Sequence, residues 1–354
     1  MYTKDEENFI ILSSVEEISD AVKRALVFKC ADTERQDIEK FLIKTLSYGV
    51  YNTVKEKLSD GAYRSRILSG LEKRGITCVA CFSESYPDIL RHIDRPPLLL
   101  YCKGNVSLLK TNCFAVVGSR KSTANALALC RKISSELTAA FTVVSGIADG
   151  ADTAALSGAL LSGKAISVTA SGFDNIYPSV NVSLAREISE KGLLVSEYPP
   201  HMRASKYNFP VRNRIIAGLS KGVLVASAGE KSGALITAEC ASEYGRDVFA
   251  FPYSPHIASG AGCNSLIKNG AYLTENILDI FSAFGLDLKR RGNCTELSAL
   301  EKAVLGEISK TDGVLLSAVA DSLGKQTYEI IPVLTALEIK GLAVRLGGNR
   351  YGAV

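Results

Sequence analysis

Six short runs, "CFAVVG", "FTVVSG", "AISVTASG", "GLLVSE", "GVLVAS" and "DVFAFP", follow one another between residues 113 and 252, apolar at nearly every position. A strand with one wet face alternates in polarity; one that does not alternate is covered on both faces. Helical stretches such as "ANALALCRKISSEL" and "DTAALSGALLSG" separate most of the runs. Parallel pairing through right-handed crossovers is the arrangement that buries them all. The predicted fold class is therefore α/β, with a Rossmann-like, doubly wound, mostly parallel sheet.

The flanks read differently. Residues 1–110 begin with helical spacing in "SVEEISDAVKRALVF" and "ERQDIEKFLIKTLSYGVYNTVKEKL". They end in a connecting segment, a strand and turn in "GITCVACFSESYPDIL" and an extended "DRPPLLLYCKGN". After 111–287, residues 288–354 hold a polar, basic linker around "GLDLKRRGNCTE". Helices and a Gly-Gly-Asn hairpin follow, the pattern of a winged helix. A chain of 354 residues has room for three such units.

Composition narrows the partners. The net charge of +4 excludes a polycation, so a nucleic-acid surface has to be a local patch. Nine cysteines, an odd number, lie mostly in apolar runs and read as small buried side chains in a reducing cytoplasm. Cys78 and Cys81 form a C-x-x-C, yet no second pair follows and strand positions three apart face opposite ways. No metal and no cofactor is expected. The charged start and the lack of any apolar run of about 18 residues argue against a leader or a membrane span.

Ligands of an open parallel sheet sit outside the carboxyl ends of its strands. The first such loop is "GSRKSTAN", with Gly118, Ser119, Arg120 and Lys121: a close-approach glycine, amides at a helix start, and a guanidinium that can fork onto phosphate. The second, "SGIADGAD", supplies Ser145 and Gly146; another, "SAGEKSGALITA", supplies Ser232 and Gly233. Neither G-x-G-x-x-G nor a Walker loop is present. Small residues on successive loops imply an anionic ligand. Asp149, Asp152, Asp174 and Glu197 fit helix caps and loop braces better than paired catalytic carboxylates, which would repel that anion.

"KYNFPVRNRIIAGLS" carries the other half of the argument. Lys206, Arg212, Asn213 and Arg214 offer donors, and Tyr207 and Phe209 offer flat faces, the chemistry of single-stranded nucleic acid. The plainer alternative has the arginines bonded to nearby carboxylates and carbonyls, with Phe209 in the core. Cations ahead of "IIAGLS" oppose the helix dipole, which favours an anion there. The tail balances acids against bases and so has little counterion-release drive for duplex DNA.

The strings "VVGSR", "VVSGIADGADTAALSGAL", "GFDNIYP", "LLVSEYPP", "NFPVRNRIIAGLS", "SGALITA" and "GAGCNSLIKNGA" resemble, in order and spacing, the DNA processing protein A (DprA/Smf) family. The resemblance covers nearly the whole chain. It implies a sterile-alpha-motif-like or helix-hairpin-helix N-terminal region, a homodimer, binding of single-stranded DNA, and loading of the RecA recombinase in natural transformation. It also implies DNA contacts at Arg120, at Arg212–Arg214, at Ser232–Gly233 and at Lys268. Asp149, Ala151, Leu156, Ser227 and Tyr253 depart from the family pattern. Two rivals stand beside this reading. A nucleotide-binding or N-glycosidase enzyme of related fold would use Glu239 as its acid; a winged-helix regulator would bind duplex through its tail.

Overall fold

The structure, a computed structural model, describes residues 2–15, 17–30, 44–286, 297–311 and 313–353. Most of the linker expected at 285–296, Cys294 and the first half of the second N-terminal helical stretch lie outside the described residues.

The six apolar runs become β3 (Cys113–Gly118), β4 (Thr142–Ser145), β5 (Ala165–Thr169), β6 (Leu193–Ser196), β7 (Gly222–Ser227) and β8 (Asp247–Ala250). With β1 (Thr77–Ala80), β2 (Leu99–Gly104) and β9 (Tyr272–Leu273) they form one sheet, ordered β1-β2-β6-β5-β4-β3-β7-β8-β9. Pairing is parallel from β6 to β9 and antiparallel at β1–β2 and β2–β6. The sheet thus begins upstream of residue 111.

Helices cover both faces, as the lack of alternation requires. Among the described residues the N-terminal helices are α1 (Lys4–Ser13), α2 (Asp20–Cys30), α3 (Tyr48–Ser59) and α4 (Gly61–Lys73), and the short α5 (Asp88–Arg91) follows. Next come α6 (Ala124–Leu137), α7 (Ala151–Ala159), α8 (Val182–Lys191), α9 (Asn208–Leu219), α10 (Gly233–Glu243), α11 (Ala261–Lys268) and α12 (Ile277–Ala283). One face packs Ile215, Ile216 and Leu219 of α9, the alanines of α10 and Cys263 against Val117, Val144 and Val195. The other packs α6, α7, α8 and α12 against Phe114, Val116 and Leu224. There Phe114 meets Phe141, Phe249 and Phe284 at centroid distances of 5.5, 5.6 and 6.0 Å. Each buried ring of this kind contributes roughly 2–3 kcal/mol. The apolar stripe Ile277, Ile280, Phe281 of α12 is therefore core, as helical spacing favours.

β2 faces two cores. Leu100 and Cys102 join the main core, while Leu99 and Tyr101 meet Phe9, Ile10, Val54 and Leu71 of the N-terminal helices. Cys78 looks the same way as Leu99, and Cys81 packs against the opposite core.

The tail folds on its own core of Val304, Ile308, Val319, Ile330, Leu334, Leu337 and Tyr351. Its elements run α13 (Ala299–Ile308), β10 (Val314–Leu315), α14 (Leu316–Ser322), α15 (Thr327–Ile339), β11 (Ala343–Leu346) and β12 (Arg350–Ala353). Gly348 and Asn349 turn the final hairpin with φ of 74° and 55°. This is the winged-helix pattern read from the sequence.

Candidate nucleic-acid interface

From β3 the chain winds one way through β4, β5 and β6, then returns to β7 on the other side of β3. The helices that follow β3 and β7 consequently lie on opposite faces, α6 on one and α10 on the other. Their loops diverge and leave a crevice, the place where such sheets bind ligands.

Three hydroxyls close the crevice floor. Ser119 N donates to Ser227 O at 2.9 Å and approaches Ser227 Oγ at 3.0 Å. Ser122 Oγ bonds Ser227 Oγ and also donates to Ser119 O at 3.0 Å. Lys121 N donates to Ser119 Oγ at 3.1 Å. The amides of Ser119 and Lys121 are thus engaged internally and are not offered to a ligand. Thr123 caps α6 by accepting from Ala126 N at 3.3 Å. The second loop reaches the first because Gly150 has φ of 81°; a Cβ there would stand 2.6 Å from Ser119 O and 2.7 Å from Arg120 O.

Beneath both loops lie two buried charges of opposite sign. The Arg212 guanidinium and the Asp152 carboxylate converge on Gly146, where a Cβ would collide with Asp152 Oδ2 and lie 2.8 Å from both terminal nitrogens of Arg212. Arg212 is 5% exposed and Asp152 6%. Arg212 Nη1 donates to Val168 O and its Nε to Asn213 Oδ1 at 3.2 Å, while Ala148 N donates to Asp152 at 3.3 Å. Burial pushes the Asp152 carboxyl up, against the pull of Arg212 and the loop amide. Asp152 braces the second loop, the role its position in the sequence suggested.

This placement corrects the expectation for several residues. Ser145 is fully buried and donates to Val116 O at 2.6 Å, and Gly146 is buried beside it. Asn213, also buried, donates from Nδ2 to Gly233 O at 3.1 Å, and Arg214 pairs with Glu197. Arg-Asn-Arg thus follows the plainer alternative: it is held by carboxylates and carbonyls under the crevice. The dipole argument fails because α9 starts at Asn208, which puts Arg212 and Arg214 past the first turn where that effect acts. Lys268 is exposed at the far end of α11, whose start is tied to Ala228 O by Gly262 N. Six rises of about 1.5 Å put it about 9 Å along the helix from that tie.

What does reach the surface is a compact cationic and aromatic set. Arg120 is exposed, has no carboxylate partner among the described residues, and lies over the Phe209 ring with its guanidinium carbon 5.5 Å from the centroid. Phe209 is half-buried and meets the edge of Tyr177 at 5.8 Å and 69°. Tyr177 is 49% exposed and Tyr207 72%, with Lys206 Nζ 5.0 Å from the Tyr207 centroid. Ser232 caps α10, and exposed Gly233 has open space where a side chain would be. Tyr177 was missed in the sequence; the string "NIYP" after the third strand was its only signal. Among the described residues no cluster of His, Cys, Asp or Glu suits a metal. Glu239 stands exposed midway along α10, outside the crevice.

Comparisons with known proteins point to one family. A family model described as DNA recombination-mediator protein A matches residues 77–285. Protein Smf of Synechocystis sp. is 45% identical over 201 residues, a match taking in 54% of this chain and 50% of the relative. The chain thus matches about half the length of that relative. The X-ray structure of DNA processing protein A from Streptococcus pneumoniae superposes with a TM-score of 0.66 at 35% identity, covering 79% of this chain and 98% of that one. DNA processing protein A from Helicobacter pylori, whose structure addresses its single-stranded DNA binding mode, gives 0.54 at 30% identity, covering 59% and 95%.

Proposed function

The chain belongs to the DNA recombination-mediator protein A family, and from that premise we propose that it binds single-stranded DNA across the crevice between β3 and β7. The observation that carries the reading is the Arg120 guanidinium over the Phe209 ring, beside exposed Tyr177. A guanidinium can grip a phosphate while the neighbouring rings accept splayed bases, which a duplex does not offer. Gly118, Ser119, Arg120, Lys121, Lys206, Ser232 and Gly233 form the contact surface in this reading. Ser145, Gly146, Arg212, Asn213 and Arg214 hold that surface from below.

The test is a titration of labelled oligo-dT against duplex of equal length at two salt concentrations. The single strand should bind more tightly, with a log-affinity versus log-salt slope of about −0.7 per neutralised phosphate. Arg120→Ala should weaken binding to all sequences alike. Equal affinity for duplex, or an unchanged slope in that variant, rejects the reading.

Loading of RecA, homodimerisation, a cytoplasmic setting and the absence of catalytic duty rest on the family likeness and belong to the same proposal. So does the division into 1–110, 111–287 and 288–354, with the first unit lending β1 and β2 to the sheet. No helix among the described residues is long and apolar enough to cross a membrane.

A further inference from the structure

A cleft of about 1200 Å³ separates the N-terminal helices from the carboxyl end of the sheet. Its helical wall presents Arg24 of α2 and Arg66 of α4; its other wall is the loop after β6 and the start of α9, with Met202, Pro210 and Val211. Sites for single small ligands run about 300–1,000 Å³, so this space suits something extended.

Its cations outnumber its carboxylates. Lys23, Arg24, Arg66, Arg74, Arg95 and Arg214 line it against Asp94, Glu197 and Glu243. Close carboxylates face Arg214 (Glu197), Arg95 (Asp94 at 3.1 Å) and Arg74 (Asp174 at 3.2 Å). Arg24 and Arg66 have no carboxylate within ion-pair reach among the described residues. Both are nevertheless held in position. Arg24 Nη1 donates to Pro96 O at 2.8 Å, and the Arg66 guanidinium lies 5.1 Å from the Tyr63 centroid. Fixed guanidiniums without a counter-charge, in a trough between low-dielectric walls, concentrate a positive field.

The cleft also adjoins the crevice. Met202, Pro210 and Val211 form its lip, and Lys206, Tyr207 and Phe209 fall between them in the chain. We propose that a single strand gripped at Arg120 and Phe209 continues over this lip into the cleft, where Arg24 and Arg66 neutralise further phosphates. The helical unit would then extend the binding path and set its length. This inference rests on the single-strand reading above.

Oligo-dT of increasing length, from about 4 to about 16 nucleotides, separates the two. The variant is Arg24→Gln with Arg66→Ala, Gln keeping a donor toward Pro96, and its melting temperature serves as folding control. Bound to the shortest oligomers it should match the wild type. With the longest its salt slope should be smaller by about 1.4, two phosphates at about 0.7 each, so tripling the salt narrows the wild-type advantage about fivefold. Arg66→Lys, retaining the charge, should recover part of the loss. Arg120→Ala should lose affinity at every length. Wild-type behaviour of the double variant at all lengths, or an equal loss at all lengths, overturns the cleft path. Wild-type binding by Arg120→Ala overturns the underlying reading instead.

Discussion

Replacing Arg212 by Met removes one member of the buried pair beneath the crevice. The guanidinium is 5% exposed, and Asp152, 6% exposed, would keep its carboxylate without an opposing charge. Breaking a buried pair from one side costs about 3–5 kcal/mol. At about 2–4 °C per kcal/mol for a unit of this size, melting should fall by roughly 6–20 °C. The deficit should depend on pH. Burial raises the Asp152 carboxyl and Arg212 opposes that rise, so without Arg212 it rises further; the added penalty is absent below the unfolded carboxylate range, grows as pH climbs above it and levels off past the folded pKa. Adding Asp152→Leu should restore most of the loss, since apolar side chains of similar volume often replace a buried pair at little cost. Differential scanning calorimetry from pH 4 to 8, roughly the span of the carboxylate titration, reads all three effects, and an oligo-dT titration runs alongside. An Arg212→Met protein that melts like the wild type yet has lost DNA would refute this, because it would make Arg212 a direct contact.

Three further outcomes are expected. Gly150→Ala, forced to φ of 81° with a Cβ against Ser119 O and Arg120 O, should lose about 1–2 kcal/mol from backbone strain alone and bind oligo-dT more weakly; unchanged binding would mean that the first loop does not need the second. Phe209→Ala removes the ring under Arg120 and should cost about 1–3 kcal/mol of oligo-dT affinity, read by fluorescence anisotropy, while leaving duplex binding unaltered. In the winged helix, Lys340 at 2.6 Å and the Ser298 amide hold the Glu301 carboxyl below its usual range. A lowered pKa gives stability that is present above the unfolded carboxylate range and lost as pH falls through the folded value. Hydrogen exchange in α13 and α15 should therefore loosen on acidification more in the wild type than in Glu301→Gln.

The parallel sheet was legible because non-alternating apolar runs have few other ways to be buried, and β3 to β8 fall where those runs fall. The loops after β3 and β7 were legible because ligands of such a sheet sit outside the carboxyl ends of its strands. The direction of the arginines was not. "VRNR" gives residue types, but whether Arg212 turns in or out depends on Asp152 of α7, a partner that only tertiary contact supplies. Lys268 went astray because its motif was read as a point, whereas an eight-residue helix displaces its last residue from its first. The attachment of β1 and β2 also escaped, as antiparallel pairing with β6 joins segments far apart in the chain.

That attachment makes the helical unit and the central fold mechanically inseparable. With Leu99 and Tyr101 on one side and Leu100 and Cys102 on the other, β2 works as a party wall, and demolishing either room brings down the other. A fragment starting at residue 111 would leave β6 as a raw border, its unpaired amides and carbonyls open to any passing strand. Such a fragment should clump where the whole chain stays dispersed.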